Sequence, residues 1–304
     1  MSLKHALTNQ EIETNIRKEF HPYLLMLKQS IANQRLVNPC LSLLLLNIFI
    51  IVCVLLIQMV VTSGLTWMLF SALLIATRLR ALSLILHDST HFIASRSRRQ
   101  NLVIGRVASM FFHVSFDTYR SRHLSHHSNV GGEERDFDYS YAFQRAVGDF
   151  RFRIGSTYND ILFSFVRYAA PRFNFRGEGS KWLALRISVH LGWIYAAFSI
   201  AGITSFIVLY FGTSFLFFPL LQLLGDYLEH GGIAELKEGL RSRNHSGICG
   251  PIRALLFSNN DQYHLIHHLF PSLPASLLAD AERLLNLHSP TYVHATALIE
   301  RNDV

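Results

Sequence analysis

Two stretches of this sequence, Cys40 to Thr77 and Ile187 to Gly225, contain no Asp, Glu, Lys or Arg. As one helix, either would be about 57 Å long at 1.5 Å per residue, almost twice the roughly 30 Å hydrocarbon core of a bilayer. Each must fold back on itself. Thr62-Ser63-Gly64 breaks the first and Ala201-Gly202 the second, which predicts spans near 40–61, 65–86, 183–200 and 204–226. Apolar runs of this length mark membrane helices, not the core of a soluble all-α protein. Composition agrees, since 16% of residues are charged against about 25% in ordinary soluble domains. The expected fold is an all-α membrane protein with four transmembrane helices, arranged as two hairpins under a cytoplasmic helical cap.

Basic residues set the expected orientation. The turns at 62–66 and 199–205 carry none, whereas Lys28, Arg35, Arg96, Arg98, Arg99 and Lys181 flank the opposite ends. By the positive-inside rule both termini and the 87–182 segment are cytoplasmic. The chain then divides into N-terminal helices (1–39), a first transmembrane hairpin (40–86), a first cap segment (87–182), a second hairpin (183–226) and a second cap segment (227–304), forming one integrated domain. Arg78 and Arg80 fall inside the second span, where they either snorkel to the interface or face the bundle interior. The first 39 residues lack the apolar core of a signal peptide. There, Thr8 and Glu11 fit a capping box for a helix that Pro22 is expected to interrupt. Leu102 to Phe116 is too short to span, and Phe150 to Tyr168 has an interfacial, amphipathic pattern. Cys40, Cys53 and Cys249 offer neither a disulfide framework nor a CxxC metal site.

The second constraint is histidine. Nine of the 16 histidines are patterned: His87 and His91 frame HDSTH, His123, His126 and His127 form HLSHH, His230 follows the fourth span, and His264, His267 and His268 form HLIHH. One HxxHH is expected by chance about 0.05 times in such a chain, so two copies are not accidental. Positions i, i+3 and i+4 share a helix face, so each cluster can aim two or three imidazoles at one point. Imidazole is the commonest metal ligand. All nine lie at or beyond the cytoplasmic ends of the expected spans, and nine exceed what one four-coordinate zinc needs, supplying two metals instead. Asp88, Asp136, Asp226, Glu229 and Asp261 stand where carboxylates could accept the free imidazole N–H groups. The other histidines read as packed or surface residues, with His190 singled out by its place inside a span.

With HDSTHFIASRSRRQNLVIGR, YRSRHLSHHSNVGGEERDFD, LEHGG and YHLIHHLFPSLP in this order, the chain resembles the membrane fatty-acid desaturase superfamily over about residues 40 to 290. The resemblance implies a non-haem di-iron centre on the nine histidines and O2-dependent attack on an unactivated C–H bond. It implies a lipid or acyl substrate, whether free acid, acyl-CoA, acyl-carrier protein or phospholipid, or a lipid-like secondary metabolite. Relatives often carry Asn four residues before the isolated histidine. Here Asp226 takes that place, so it is expected to position water or contact iron.

No His-Pro-Gly-Gly haem signature or cysteine cluster supplies electrons. An external donor such as ferredoxin is expected; Arg96, Arg98, Arg99, Arg120, Arg122, Arg241 and Arg243 read first as positive-inside flanks on anionic lipid and, as the alternative, as a docking surface for an acidic ferredoxin or a phosphorylated acyl carrier. Met59, Trp67 and Phe70 read first as lipid contacts or packing residues, with substrate-tunnel lining as the alternative. The expected setting is a bacterial inner membrane, and nucleic acid is no partner. Desaturation is the leading reading, and a hydroxylase or ketolase of the same superfamily is the alternative. A histidine-rich metal transporter is more distant, because transport sites sit near the bilayer midplane on broken helices.

Overall fold

The computed structural model describes residues 8–33, 39–61, 64–130, 136, 174–231, 233, 240–245, 250–251, 253 and 257–302. Its regular elements among these residues are all helices, with a lone parallel bridge, Val114 to Asn174, outside them. In chain order the helices are α1 (Asn9–Asn33), α2 (Pro39–Val60), α3 (Leu65–Thr90), α4 (Arg98–Ser109), α5 (Phe116–Asn129), α6 (Ser180–Ala201) and α7 (Ile203–His230). A 3-10 turn (Ser258–Tyr263) leads into α8 (His264–Leu269), followed by α9 (Leu278–His288) and α10 (Pro290–Asn302).

Four of these, α2, α3, α6 and α7, are long and apolar enough to cross a membrane. α3 is the central one, packed against α2, α4, α5 and α7, while α6 packs on α2 and α7. Its inner residues Ala72, Ile75, Leu79 and Leu82 are buried. The outer faces of the other spans expose Leu45, Phe49 and Leu56 on α2, Leu191 and Tyr195 on α6, and Phe211 on α7. Such a belt is costly in water and suited to hydrocarbon. At the α6–α7 turn, Gly202 has φ of +63°, a conformation that a side chain would oppose. Its N–H donates to Phe198 O at 2.8 Å.

Two spans outrun the expected boundaries. α3 continues to Thr90 and α7 to His230, each about one turn further, and the added polar residues His87 to Thr90 are buried against neighbouring helices. There Ser89 and Thr90 donate back to the Ile85 and His87 carbonyls. α7 also departs from α geometry, with a π-helical register over Phe206–Phe217, a feature that hydropathy does not encode. α4 lies against α3 as a short packed helix. The expected interfacial segment at Phe150 to Tyr168 lies outside the described residues.

The N-terminal expectation needs one correction. Thr8 and Glu11 do form the capping box, the Thr8 N–H donating to Glu11 Oε2 at 2.8 Å and the Glu11 N–H to Thr8 Oγ1 at 3.3 Å, but Pro22 does not interrupt α1. The helix is held through the proline by its buried stripe of Ile12, Ile16, Phe20 and Leu27, part of a second core with Leu265, Ile266, Leu278, Leu285 and Tyr292. Glu19 accepts hydrogen bonds from the hydroxyls of Ser289 and Thr291, fastening α1 to α10.

Candidate metal centre

The nine patterned histidines converge in two groups. His87, His91, His123, His127 and His267 form one, His126, His230, His264 and His268 the other, and within each group the candidate ligand atoms lie within 4.8 Å of one another. The partition follows from helix geometry. On α5, His123 and His127 are one turn apart and enter the first group, while His126 enters the second; on α8, His264 and His268 enter the second and His267 the first. Each HxxHH therefore serves two points, not the single point that its spacing suggests. The groups adjoin, His127 stacking on His268 at 4.2 Å between ring centroids.

Nε2 atoms face inward. His91 and His123 approach at 2.9 Å, His123 and His127 at 3.0 Å, and His127 and His267 at 3.1 Å. In the second group His264 lies 3.1 Å from both His230 and His268. Two nitrogens bound side by side about 2.1 Å from one ion sit about 3 Å apart, so these spacings suit a shared metal. His87 Nε2 is buried without a hydrogen bond, as a lone pair reserved for a metal would be. The donor set therefore fits metal, and an all-imidazole set accommodates iron.

The opposite nitrogens are anchored. His87 Nδ1 meets Asp88 at 3.2 Å, His126 Nδ1 meets Asp136 at 2.8 Å, and His230 Nδ1 donates to Arg241 O at 2.8 Å. Such contacts fix the tautomer that leaves Nε2 free to ligate. Burial, reinforced by Arg120 and His264, pushes His91 down to about 4. Burial and then the neighbouring imidazoles push His123, His127, His267 and His268 well below the usual histidine range. All are neutral at pH 7, as metal ligation requires.

His264 is flanked on both nitrogens by acids, with Glu229 Oε2 at 3.5 Å from Nε2 and Asp261 Oδ1 at 3.7 Å from Nδ1. Arg80, one of the two intramembrane arginines, faces the interior and clamps both carboxylates. Its Nη2 lies 2.9 Å from Asp261 and 3.4 Å from Glu229, and its Nη1 donates to Gln222 at 2.7 Å. Burial raises the cost of charge on Asp261, but His264 and Arg80 outweigh it and hold the carboxyl below its ordinary range. The clamp needs Gly225, where a Cβ would stand 2.7 Å from Arg80 Nη2. Arg78 reaches Asn47 at 3.3 Å. His190 pairs with the Tyr210 hydroxyl at 3.1 Å.

A cavity of about 220 Å³ opens onto both groups, touching His87 and His123 of the first and His126, His230 and His264 of the second. Its walls include Leu79, Leu84, Phe111, Phe112, Phe215 and Phe218. Asp226 is half-buried and lines it, outside the metal-binding groups. Met59, Trp67 and Phe70 do not line it; they point outward, about half exposed. Tyr119, Gln222, His113 and Ser214 line it, and sequence spacing gave no signal for any of them. Of the seven candidate docking arginines, Arg96, Arg98 and Arg99 are exposed. Arg120 donates to Thr90 O, Arg241 to Val130 O and Arg243 to Gly231 O, and Arg122 lines the cavity.

Membrane-length helices joined to two adjoining groups of buried imidazoles define a class, helical membrane proteins with a multi-histidine site able to hold metal. The chain belongs to the fatty acid desaturase family, whose model matches residues 65–296, and it is accordingly an oxidoreductase. It is 26% identical over 260 residues to the dihydrorhizobitoxine desaturase of Bradyrhizobium elkanii, covering 78% of this chain and 73% of that one. It is 22% identical over 229 residues to an endoplasmic-reticulum omega-3 fatty acid desaturase of Vigna radiata var. radiata, covering 67% of this chain and 60% of the plant protein.

Proposed function

We propose that the protein is an O2-dependent desaturase that places a C=C bond in the alkyl chain of a lipid or lipid-like substrate, with two irons held by the nine histidines. The observation that carries this reading is the cavity, whose apolar walls meet histidines of both groups. When bound, the irons would supply the oxidising power for removing two hydrogens, which with two external electrons and two protons reduce O2 to two waters. The chain's own residues do the rest. Phe112 and Phe218, stacked at 5.1 Å, wall the alkyl segment from water. Asp88, Asp136 and Arg241 O orient imidazoles from behind. Asp226 stands one turn before His230, where its carboxylate would hold water or contact iron. The exposed Arg96, Arg98 and Arg99 form the docking patch for an acidic electron donor such as a ferredoxin. The multi-pass chain sits in a bacterial inner membrane with this patch, the site and both termini cytoplasmic, in the segment order given above.

The test compares lipids and metabolites by mass spectrometry in cells with and without the gene, with His267→Ala as control. Loss of two hydrogens, absent in the control, is the expected result; gain of one oxygen would turn the assignment to a hydroxylase or ketolase. The purified protein should hold two irons per chain. Asp226→Asn with unchanged iron content and activity would remove any special role for that charge.

A further inference from the structure

The cavity has a second end. On α7, Ser214 precedes His230 by sixteen residues, roughly 20–24 Å of helix; ahead of α5, His113 precedes His123 by ten. Both line the cavity, so together they bound the end away from the metal groups. That end is polar. Ser83, Ser89, Ser188 and Ser199 each donate to a carbonyl one turn back, the usual outlet for a helical serine. Ser214 Oγ, in the π-helical stretch, is buried and makes no hydrogen bond. Beside it, the His113 ring stacks on Phe215 at 4.8 Å and on His190 at 4.9 Å.

Among the described residues, this end also carries no unengaged charge. Burial holds His113 down to about 4, with help from His190 and Arg186. Arg186 itself is fully engaged by Glu178 at 2.6 Å and by the Ser109 and Phe112 carbonyls. Among the described residues, a carboxylate or phosphate would find no unengaged counter-charge at this end, and a bare methyl end would leave the serine hydroxyl unmatched.

We propose that Ser214 and His113 form a subsite for a neutral oxygen function on the substrate, a hydroxyl, ether or carbonyl, held away from the carbons that react. The subsite rests on the desaturase reading only in taking this cavity as the substrate's. The oxygen belongs either to a substituent on the chain or to an ester linkage, and matched probes separate the two.

In nanodiscs, hexadecanoic acid, methyl hexadecanoate and ω-hydroxyhexadecanoic acid, with their dodecanoic counterparts, would compete against radiolabelled hexadecanoic acid. At least one neutral-oxygen probe should bind about fivefold or more tightly than its parent acid. The hydroxy acid marks a substituent and the methyl ester a linkage. Ser214→Ala and His113→Phe should each abolish the preference at unchanged metal content, and Ser214→Thr should keep it. Equal binding of all probes, or a preference that survives both variants, overturns the proposal. Binding selectivity without loss of two hydrogens in the metabolite comparison would leave the subsite standing and overturn the desaturase reading instead.

Discussion

Arg80 shows how one residue can be read from sequence and still be underestimated. Its place in a span restricts it to snorkelling or facing inward, but its partners Gln222, Glu229 and Asp261 are far away in sequence, and no local spacing links them. The histidine boxes are legible because i, i+3 and i+4 spacing is a local rule; their split between two groups is not, since it depends on how α5 and α8 face each other. Asp261 could be suggested by proximity to His264, but the Arg80 guanidinium that joins His264 in holding its carboxyl below the ordinary range could not. Arg80→Met leaves two buried carboxylates without their counter-charge and should destabilise the protein by about 3–5 kcal/mol. Adding Glu229→Gln and Asp261→Asn should recover part of this, as read by thermal unfolding of detergent-purified protein. Gly225→Ala should lower the melting temperature in the same assay by pushing on Arg80. Gly192→Ala should not, because the space at that position is open.

At the scale of elements, hydropathy locates the four spans to within about a turn. It misses their ends where polar residues are buried by tertiary contacts, as at His87 to Thr90, and the π register of α7. α1 is the clearest case of packing overriding propensity. An interior proline costs a helix about 3 kcal/mol, yet the stripe from Ile12 to Leu27 carries α1 through Pro22. Pro22 is exposed, so Pro22→Ala removes the penalty without touching that core. The expected result is a higher melting temperature and slower amide exchange in residues 18–22, with binding and product unchanged.

Over the whole molecule, a large set of imidazoles is held neutral by burial. His113 and His245, neither of them in the metal groups, are both pushed to about 4, in each case chiefly by burial. The unfolded chain takes up these protons near pH 6.5, whereas the folded chain refuses them until about pH 4. Stability is therefore full above pH 6.5 and falls as the pH drops towards 4. The melting temperature of metal-stripped protein, measured from pH 7.5 to 4, should fall through that window. Bound metal should raise the curve, since it binds only the folded arrangement of neutral ligands.

The convergence of His91 with His267 also imposes an order on biogenesis. At roughly 5–20 residues per second, the ribosome emits the last donor of the first group roughly 9–35 s after the second. For most of that interval α3 and α5 already carry four of the first group's five imidazoles, which still lack His267 and the elements that follow it. Metal capture by the complete site must follow translation of α8, and the clasp of Glu19 onto Ser289 and Thr291 comes later still. A nascent chain halted before residue 264 would therefore carry its spans and no finished centre, which makes loading an event of the completed polypeptide.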